Sequence, residues 1–253
     1  MKHPILKTSG LTKVYGGLVA NRDITISLHV GSVHAILGPN GAGKSTLINM
    51  LSGDAMPTRG DIAYKGQDIT DFSADRRSRI GIGRSYQKTN IFREFTVYEN
   101  CRLAAQSRRP QAFRIFSDAD SVATTRHAVE RALAMANLEH VATRRAAELS
   151  HGAQRQLEIA MVLATNAEVL LLDEPLAGMG ADESRKMVEL LQKITPQHAI
   201  LLVEHDMDSV FAVADTITVM VNGAILETGA PDAIRSSPAV QGAYLGEDCE
   251  IVI

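Results

Sequence analysis

The 253-residue chain has no tryptophan, only two cysteines and no long apolar run. Cys101 and Cys249 are far apart and form no disulfide pattern, which favours a reducing compartment. No apolar segment approaches the roughly 20 residues that are needed to span a bilayer. The N-terminal segment MKHPILKTSGLTK also lacks the apolar core of a signal peptide. We therefore expect a soluble cytoplasmic protein, in which any membrane role depends on a partner.

A strong charge of either sign is also missing, because the formal net charge is −3. Without a basic field, the composition argues against nucleic-acid binding. Two local basic clusters, RRSRIGIGR at 76–84 and Arg108–Arg109, are interpreted as solvated faces. Hydrophobic residues make up 45% of the chain, which suits a packed core. The length fits one large α/β domain, or one domain with a sizeable insertion.

Hydrophobic periodicity predicts strands and helices in an order that is typical of an α/β fold. Alternating or continuous apolar residues predict strands over 23–30, 32–37, 60–69, 168–175 and 199–206. Helical spacing predicts helices over 46–51, 126–138 and 183–194. Asn222-Gly223 between two apolar runs predicts a β-hairpin with a type I′ turn. We predict a mostly parallel, wound sheet of about 1–89 and 166–253, with a helical insertion of about 90–165.

The segment GPNGAGKS fits the phosphate-binding pattern G-x-x-x-x-G-K-[ST] without a mismatch. Its glycines permit backbone conformations that a Cβ would block, so that successive N–H groups face inward. These glycines are Gly38, Gly41 and Gly43. Lys44 is expected to reach the β- and γ-phosphates, and the Ser45 hydroxyl to ligate Mg²⁺. The alternative, a glycine-rich turn with a chance lysine, is disfavoured by the strand before the loop and the helix after it.

The segment LLLDEP supplies two carboxylates. Asp173 falls at the carboxyl end of a predicted buried strand, where open α/β sheets bind their ligands, and it can hold the Mg²⁺ shell through water. Glu174 lies beyond the strand and is free to orient an attacking water. The alternative is a solvated turn after a strand. Together with the phosphate loop, the two carboxylates indicate a nucleoside triphosphatase.

Six ordered motifs resemble those of the ATP-binding subunits of ABC transporters, over essentially the whole chain. They are Tyr15 in KVYGG, GPNGAGKST, Gln87 in GRSYQKTNIF, LSHGAQRQ, LLLDEP and His205 in LLVEHD. The resemblance implies a P-loop NTPase core with a mostly parallel sheet, an N-terminal antiparallel β subdomain and an inserted helical subdomain. It also implies ATP hydrolysis with ATP and Mg²⁺ bound.

The resemblance further implies roles for individual residues. The implied nucleotide-binding set is Tyr15, Gly38, Pro39, Asn40, Gly41, Ala42, Gly43, Lys44, Ser45, Thr46, Gln87, Ser150, His151 and Gly152. The implied metal-binding set is Ser45, Gln87 and Asp173. Water would attack the γ-phosphate in line, with Glu174 polarising the water, His205 holding phosphate and water, and Lys44 offsetting charge. Taken alone, Tyr15 would be an ordinary surface or core aromatic, and Gln87 a solvated loop residue.

The stretch LSHGAQRQ stands at the position of the family's signature sequence. Ser150 is expected to cap a helix, and Gly152 to let a phosphate approach the backbone closely. The apolar residues of this helix are expected to form a buried stripe. They are Leu157, Ala160, Met161 and Ala164. An open helix N-terminus binds an anion, and in the family that anion is the γ-phosphate of the other subunit's ATP. The resemblance thus implies a head-to-tail dimer with a second ABC ATPase subunit, identical or different.

Two segments depart from the family pattern. His151 and Ala153 replace a glycine and the glutamine of LSGGQ, and AGMG at 177–180 lacks the serine and aspartate of SALD. Asp182 follows two residues later. His151 is most simply a tolerated surface residue. The sharper hypothesis is that its protonated imidazole strengthens binding of the partner's nucleotide.

The segment NIFREFTVYENCRLA has apolar residues that either pack within the insertion or form a groove for a helix of a transmembrane permease. They are Ile91, Phe92, Phe95, Val97 and Tyr98. Together with EPLAGMG, EHDMDSVFAVAD and AYLGE, the pattern resembles the ATPases of branched-chain (hydrophobic) amino acid importers. That resemblance implies attachment to the inner face of the membrane and indirect cooperation with a periplasmic substrate-binding protein.

Three other functions stay open at this point. A urea or amide importer belongs to the same group, and YLGED also resembles the lipopolysaccharide-export ATPase. A soluble ABC ATPase acting on ribosomes or DNA is disfavoured by the single domain, the absence of a heptad run and the negative charge. A binding module without hydrolysis is disfavoured because Lys44, Asp173 and Glu174 are all present.

Overall fold

The computed structural model describes residues 3–87, 90–107, 119–205 and 207–248. The strands are β1 (Leu6–Tyr15), β2 (Leu18–Ile24), β3 (Ser27–Leu28), β4 (Ser32–Leu37), β5 (Arg59–Tyr64), β6 (Gln67–Asp68), β7 (Ile82–Arg84), β8 (Val169–Asp173), β9 (Ala199–Val203), β10 (Thr216–Val221) and β11 (Ala224–Gly229). The α-helices are α1 (Lys44–Ser52), α2 (Ala74–Ile80), α3 (Val97–Ser107), α4 (Ala119–Met135), α5 (His151–Ala164), α6 (Ala181–Ile194), α7 (Met207–Phe211), α8 (Pro231–Ser236) and α9 (Pro238–Asp248). Cys249, Arg108–Arg109 and the side chains of YLGED lie outside the described residues.

A six-stranded sheet forms the centre of the fold, in the order β11-β10-β4-β9-β8-β7. Neighbouring strands are parallel except for β10 and β11. Along β8, Leu170 and Leu172 pack into one hydrophobic core, whereas Val169 and Leu171 pack into the other. Because both faces are covered, this apolar strand shows no alternation. The prediction of a mostly parallel sheet is confirmed.

A second sheet is antiparallel, with the order β2-β1-β5-β6 and with β3 paired to β1. It corresponds to the N-terminal β subdomain that the family resemblance implies. The single strand predicted over 23–30 is wrong, because the chain forms β2 and the two-residue β3 instead. Asp23 has a φ of 54°, outside the extended region. Ile24, Ile26 and Leu28 are nevertheless buried, so the alternation identified the inward face correctly.

Helices α3, α4, α5 and α6 pack against one another beside the parallel sheet. The helix predicted over 126–138 falls mostly within α4, which begins earlier and ends at Met135. Its apolar positions Val129 and Leu133 are buried as expected. The helix predicted over 183–194 lies within α6. The limits of about 90–165 for the helical subdomain stay a prediction.

The interpretation of the basic cluster at 76–84 as a solvated face is wrong for two of its arginines. Arg77 is fully buried, and its guanidinium donates hydrogen bonds to the carbonyls of Leu51 at 3.0 Å and Thr70 at 2.7 Å. It therefore binds the carbonyl end of α1. The Arg84 side chain is 10% exposed and pairs with Asp173. Both arginines point inward because their guanidinium groups bind partners inside the fold, carbonyls for Arg77 and a carboxylate for Arg84.

The β10–β11 hairpin lies against the predicted phosphate loop. Asn222 and Gly223 have φ values of 48° and 78°, which are the left-handed conformations of a type I′ turn. The N–H of Gly223 donates to the carbonyl of Ala42 at 3.1 Å, and the N–H of Arg22 donates to the carbonyl of Gly223 at 2.7 Å. The hairpin turn thereby connects the antiparallel sheet with the phosphate loop.

Two expectations drawn from absences can be compared with the structure. Among the described residues, no helix is long and apolar enough to cross a bilayer. Cys101 is buried with a free thiol, and burial raises the pKa of this thiol to about 12. The neutral thiol is therefore unreactive at physiological pH.

Candidate functional site

The predicted phosphate loop connects the end of β4 to the first turn of α1. Gly38, Gly41 and Gly43 have φ values of 153°, 78° and 96°. A Cβ on Gly38 would lie 2.2 Å from the carbonyl oxygen of Met220, and one on Gly43 would lie 2.4 Å from that of Ala20. Because these neighbours are backbone atoms that cannot rotate away, both positions require glycine. The strand–loop–helix order matches the prediction.

Lys44 is the first residue of α1 and is buried. Its ammonium group donates hydrogen bonds to the carbonyls of Pro39, at 2.9 Å, and Gly38. The N-cap of α1 is Gly43, which supplies no side-chain oxygen to the first-turn N–H groups. The partial positive charge of this helix end is therefore not offset by a capping side chain, and the lysine adds a full charge beside it.

Asp173 ends β8 and is buried. A guanidinium nitrogen of Arg84 lies 3.2 Å from its carboxylate, and the Ser85 hydroxyl accepts a hydrogen bond from its N–H at 3.3 Å. Burial raises the pKa of Asp173, while the charges of Arg84 and Lys44 act in the opposite direction. Sequence reasoning missed Arg84 at this site. The sequence signal for Arg84 is its position three residues before Gln87, which places it near the predicted metal site.

Glu174 and Gln87 are brought together by the structure. The side-chain amide of Gln87 donates a hydrogen bond to the Glu174 carboxylate at 3.0 Å. Glu174 has a φ of 49°, which is uncommon for a residue with a side chain and is typical of functional sites. Its N–H donates to the carbonyl of Val203 at 2.9 Å. Glu174 thus stands just beyond the sheet, held by the end of β9 and by Gln87.

His205 follows β9 and its side chain is 58% exposed. The Nδ1 atom lies 3.8 Å from the carboxylate of Glu204. Glu204 is buried and accepts a hydrogen bond from the N–H of Leu176 at 2.9 Å. Because Asp173 pairs with Val203 in the parallel ladder, the imidazole emerges at the same sheet edge as the two carboxylates.

Tyr15 is at the end of β1 and is 47% exposed. Its ring carries the Lys13 ammonium at 4.8 Å from the centroid, and its strand partner is Leu18. The interpretation of Tyr15 as an ordinary core aromatic does not fit this exposure. Stacking on adenine stays a prediction.

The predicted signature helix is α5, which begins at His151 with Ser150 as its N-cap. The Ser150 hydroxyl accepts a hydrogen bond from the N–H of Ala153 at 3.3 Å, as expected for a cap. Leu157, Ala160 and Ala164 are buried as predicted, and Met161 packs partly against the same core. The helix therefore begins and packs as its sequence indicates.

The N-terminus of α5 is not open, contrary to the sequence-based expectation. A carboxylate oxygen of Glu183, in the first turn of α6, accepts hydrogen bonds from the Ser150 hydroxyl at 3.0 Å and the Gly152 N–H at 3.1 Å. These two bonds hold the pKa of Glu183 below its usual range. A Cβ on Gly152 would lie 2.6 Å from the Glu183 carboxyl carbon. An anion does occupy this helix end, but it comes from the same chain.

His151 is exposed in the first turn of α5. Its Nε2 would lie 3.7 Å from a Cβ placed on Gly178, so the imidazole lies over the AGMG loop. It is also close enough to lower the pKa of Glu183 by its charge. The two segments that depart from the family pattern are therefore neighbours in space.

The fold and the site define an α/β nucleotide-binding ATPase, and comparison with known proteins identifies its family. The family model described as "ABC transporter" matches residues 21–177. The high-affinity branched-chain amino acid transport ATP-binding protein LivG of Escherichia coli is 37% identical, over 98% of this chain and 100% of its own. The corresponding BraF of Pseudomonas aeruginosa is 38% identical, over 98% and 100%.

Solved structures agree with this result. The ADP conformation of an ATP-binding cassette from an ABC transporter has a TM-score of 0.84 and 28% identity, covering 97% of this chain and 100% of that one. A dimeric bacterial ABC transporter cassette has a TM-score of 0.75 and 25% identity, covering 89% and 98%. The chain belongs to the ABC transporter family, as an ATP-binding subunit with ATPase activity.

Proposed function

We propose that this chain hydrolyses ATP to power the import of branched-chain amino acids, or of related small hydrophobic or amide substrates, through separate transmembrane permeases. The observation that carries the proposal is the contact between Gln87 and Glu174, because it joins the predicted water-polarising carboxylate to the segment that leads into the helical region. The substrate class is supported by the names of the relatives, which match this chain over nearly its full length.

In the proposed mechanism, the N–H groups of the phosphate loop and the N-terminus of α1 hold the phosphates of ATP, and Tyr15 stacks on the adenine. The remaining contacts to nucleotide come from Pro39, Asn40, Ala42, Thr46 and the three loop glycines. Glu174 orients and polarises the attacking water, and His205 holds the γ-phosphate and the water in line. Lys44 leaves the carbonyls that it contacts and offsets the charge that develops on the transferred phosphoryl group.

Mg²⁺ fits the donors at this site. In nucleotide sites this ion takes one or two protein oxygens and completes its shell with phosphates and water. The Ser45 hydroxyl, the Gln87 amide oxygen and the Asp173 carboxylate are hard oxygen donors of this kind. When bound, Mg²⁺ would neutralise phosphate charge.

A second ABC ATPase subunit completes each site in this proposal. Ser150, His151 and Gly152 would face the γ-phosphate of the partner's ATP, in a head-to-tail arrangement of identical or different subunits. The dimeric state of a related cassette supports the pairing. Closure on ATP and reopening after hydrolysis would supply mechanical work to the permeases.

The permease would dock beside the segment that follows Gln87. A groove of about 170 Å³ is lined by residues from α2, β7, α3 and α5, and by Tyr86 and Asn90, which lie between β7 and α3. Nearby in sequence, Phe92 and Phe95 stack at 5.5 Å and are 54% and 42% exposed. The buried side chain of Asn100 holds this aromatic pair through hydrogen bonds with the backbone of Phe92. A fixed, exposed aromatic pair suits a short helix of a membrane protein.

The proposal locates the chain at the inner face of the cell membrane, attached through the permeases, with a periplasmic binding protein that delivers the substrate. The test is accumulation of radiolabelled leucine in cells that lack the gene and receive either the wild-type chain or a variant. Wild type should restore accumulation and Glu174→Gln should not. Asp182→Asn, at a side chain that is 88% exposed, is the control and should behave as wild type.

Other outcomes would change the assignment. Unaltered leucine uptake together with lost urea uptake or lost lipopolysaccharide export would replace the substrate class. Purification of the tagged chain with ribosomes or DNA, and without two polytopic membrane proteins, would reject the transporter assignment altogether.

A further inference from the structure

A buried ion pair joins the signature helix to the residues around Gln87. Arg155 and Glu158 lie one turn apart on α5, with their charged groups 3.2 Å apart and their side chains 7% and 6% exposed. Burying two charges costs more than it returns unless further hydrogen bonds satisfy them. The partners of this pair therefore indicate why it is there.

Both members of the pair bind the backbone just beyond the end of β7. The Glu158 carboxylate accepts the N–H of Tyr86 at 3.0 Å. The Arg155 guanidinium donates to the carbonyl of Tyr86 at 2.9 Å and to the carbonyl of Gln87. Three backbone groups of two consecutive residues are thus held by one pair of side chains, which we call the Arg155–Glu158 clamp.

The clamp lies between two halves of the catalytic machinery. On one side, the Gln87 amide donates to Glu174 at 3.0 Å. On the other, α5 begins only a few residues earlier with Ser150 and Gly152, and each helical residue adds about 1.5 Å along the axis. One helix therefore carries both Gly152 and the clamp that binds the backbone of Gln87.

We propose that the Arg155–Glu158 clamp positions Gln87 against Glu174, so that the signature helix and the hydrolytic carboxylate of one chain move together. Arg155 and Glu158 are positioning residues, since they act through Gln87. This inference rests on the proposed function, in which Glu174 polarises water and α5 faces the partner's nucleotide. It adds a connection between the hydrolytic site of a chain, at Glu174, and the N-terminus of α5, which contacts the partner's nucleotide in that proposal.

The first experiment is a double-mutant cycle on the ATPase rate of the full chain. Arg155→Met with Glu158→Gln removes both charges while keeping an acceptor for the Tyr86 N–H, and replacing both partners avoids a lone buried charge. We expect kcat to fall about tenfold while KM for ATP changes by less than about twofold, because the phosphate loop is untouched. In a Gln87→Ala background, the same double substitution should lower kcat by no more than about twofold.

The controls separate positioning from a general loss of structure. The exposed pair Asp75 and Arg79 on α2, with 2.6 Å between their charged groups, is removed by Asp75→Asn with Arg79→Met, which should leave kcat unchanged. Arg155→Lys keeps the charge, but the lysine cannot reach the carbonyls of Tyr86 and Gln87 at once. The kcat of this variant should therefore lie between that of wild type and that of the double variant. If the double variant does not fold, the cycle is run with Arg155→Lys. Effects that multiply fully with Gln87→Ala would overturn the proposal.

A second readout is independent of catalysis. Amide hydrogen exchange at Tyr86 should be about tenfold faster in an Arg155→Met, Glu158→Met variant, which leaves the Tyr86 N–H without its side-chain acceptor, than in wild type, because the opening of a buried hydrogen bond limits exchange. Unchanged exchange at Tyr86 would overturn the clamp, whatever the ATPase rate. A wild-type chain without ATPase activity would overturn the proposed function, while the exchange result would still decide whether the clamp exists.

Discussion

Helices α1 and α5 both begin at glycine-containing segments for which the sequence predicts phosphate binding. In the structure, the N-termini of these two helices contact groups of opposite charge. The first turn of α1 faces a loop of three glycines, with the Lys44 ammonium against the carbonyls of Gly38 and Pro39. The first turn of α5 holds the carboxylate of Glu183 through Ser150 and Gly152. One helix start has a cation beside it, and the other has an anion bound to it.

The difference lies in the charge of the side chain that each helix start contacts. Backbone N–H groups at a helix start attract negative charge, and at α5 the chain itself supplies a carboxylate from α6. At α1 the chain supplies a positive charge whose hydrogen bonds are met by carbonyls. In the proposed function, nucleotide binding would move Lys44 within its own site, and binding of the partner's nucleotide would displace Glu183.

The largest effect is expected for Glu174→Gln. This variant tests whether ATP is hydrolysed at the site beside the N-terminus of α1. Removing the carboxylate that polarises water should lower kcat by at least about 100-fold, while the ATP contacts of the phosphate loop remain. The variant should then accumulate as an ATP-bound dimer, measured by light scattering after size-exclusion chromatography with Mg·ATP. A variant with full turnover would place the polarising group elsewhere.

The next effect in size is expected for Lys44→Ala. Loss of a charged donor to phosphate should weaken ATP affinity about 10-fold to 100-fold, measured by calorimetric titration in the Glu174→Gln background. Lys186→Ala, at an exposed position on α6, is the matched control and should bind ATP as before. Equal affinity of the Lys44→Ala variant would mean that the ammonium stays on its carbonyls when ATP is bound.

The comparison also separates what the sequence could predict from what it could not. The α1 site was predicted because its glycines, lysine and flanking elements are local, and Gly38 and Gly43 meet backbone that no side chain could avoid. Glu183 was missed because its partner Ser150 lies 33 residues away and no local pattern connects a first-turn carboxylate with another helix. Arg84 was missed for the same reason, since its partner Asp173 is 89 residues distant.

A moderate effect is expected for Glu183→Ala, in the direction opposite to that of Lys44→Ala. With the in-chain carboxylate gone, the N-terminus of α5 is available to the partner's γ-phosphate without competition. The ATP concentration for half-maximal dimer formation, in the Glu174→Gln background, should fall about threefold to tenfold. Asp182→Ala removes a neighbouring carboxylate of the same first turn and should change nothing. Weaker dimer formation by Glu183→Ala would show that this carboxylate supports the closed dimer instead.

The pH dependence of the Glu183 effect is fixed by the direction of its pKa shift. Bonds from the Ser150 hydroxyl and Gly152 N–H lower the pKa of Glu183 in the folded chain, below the ordinary value of about 4.3. Its contribution to stability is therefore present above the unfolded pKa and is lost as the pH falls through the folded pKa. Between pH 6 and 8 the carboxylate stays charged, so in a His151→Gly background the effect of Glu183→Ala on dimer formation should be flat there.

The smallest effect is expected for His151→Gly, and it is the one that should depend on pH. Histidine changes charge between pH 5 and 8, and here the imidazole lies close to both Glu183 and the AGMG loop. A protonated imidazole would attract Glu183 in the free chain and the more highly charged γ-phosphate in the proposed dimer. Protonation should therefore strengthen binding of the partner's nucleotide. Wild type should need about twofold less ATP for half-maximal ATPase activity at pH 6 than at pH 8, and His151→Gly should lose this difference. If the variant keeps the pH dependence of wild type, the imidazole does not face the partner's nucleotide and is only a tolerated surface residue at the start of α5.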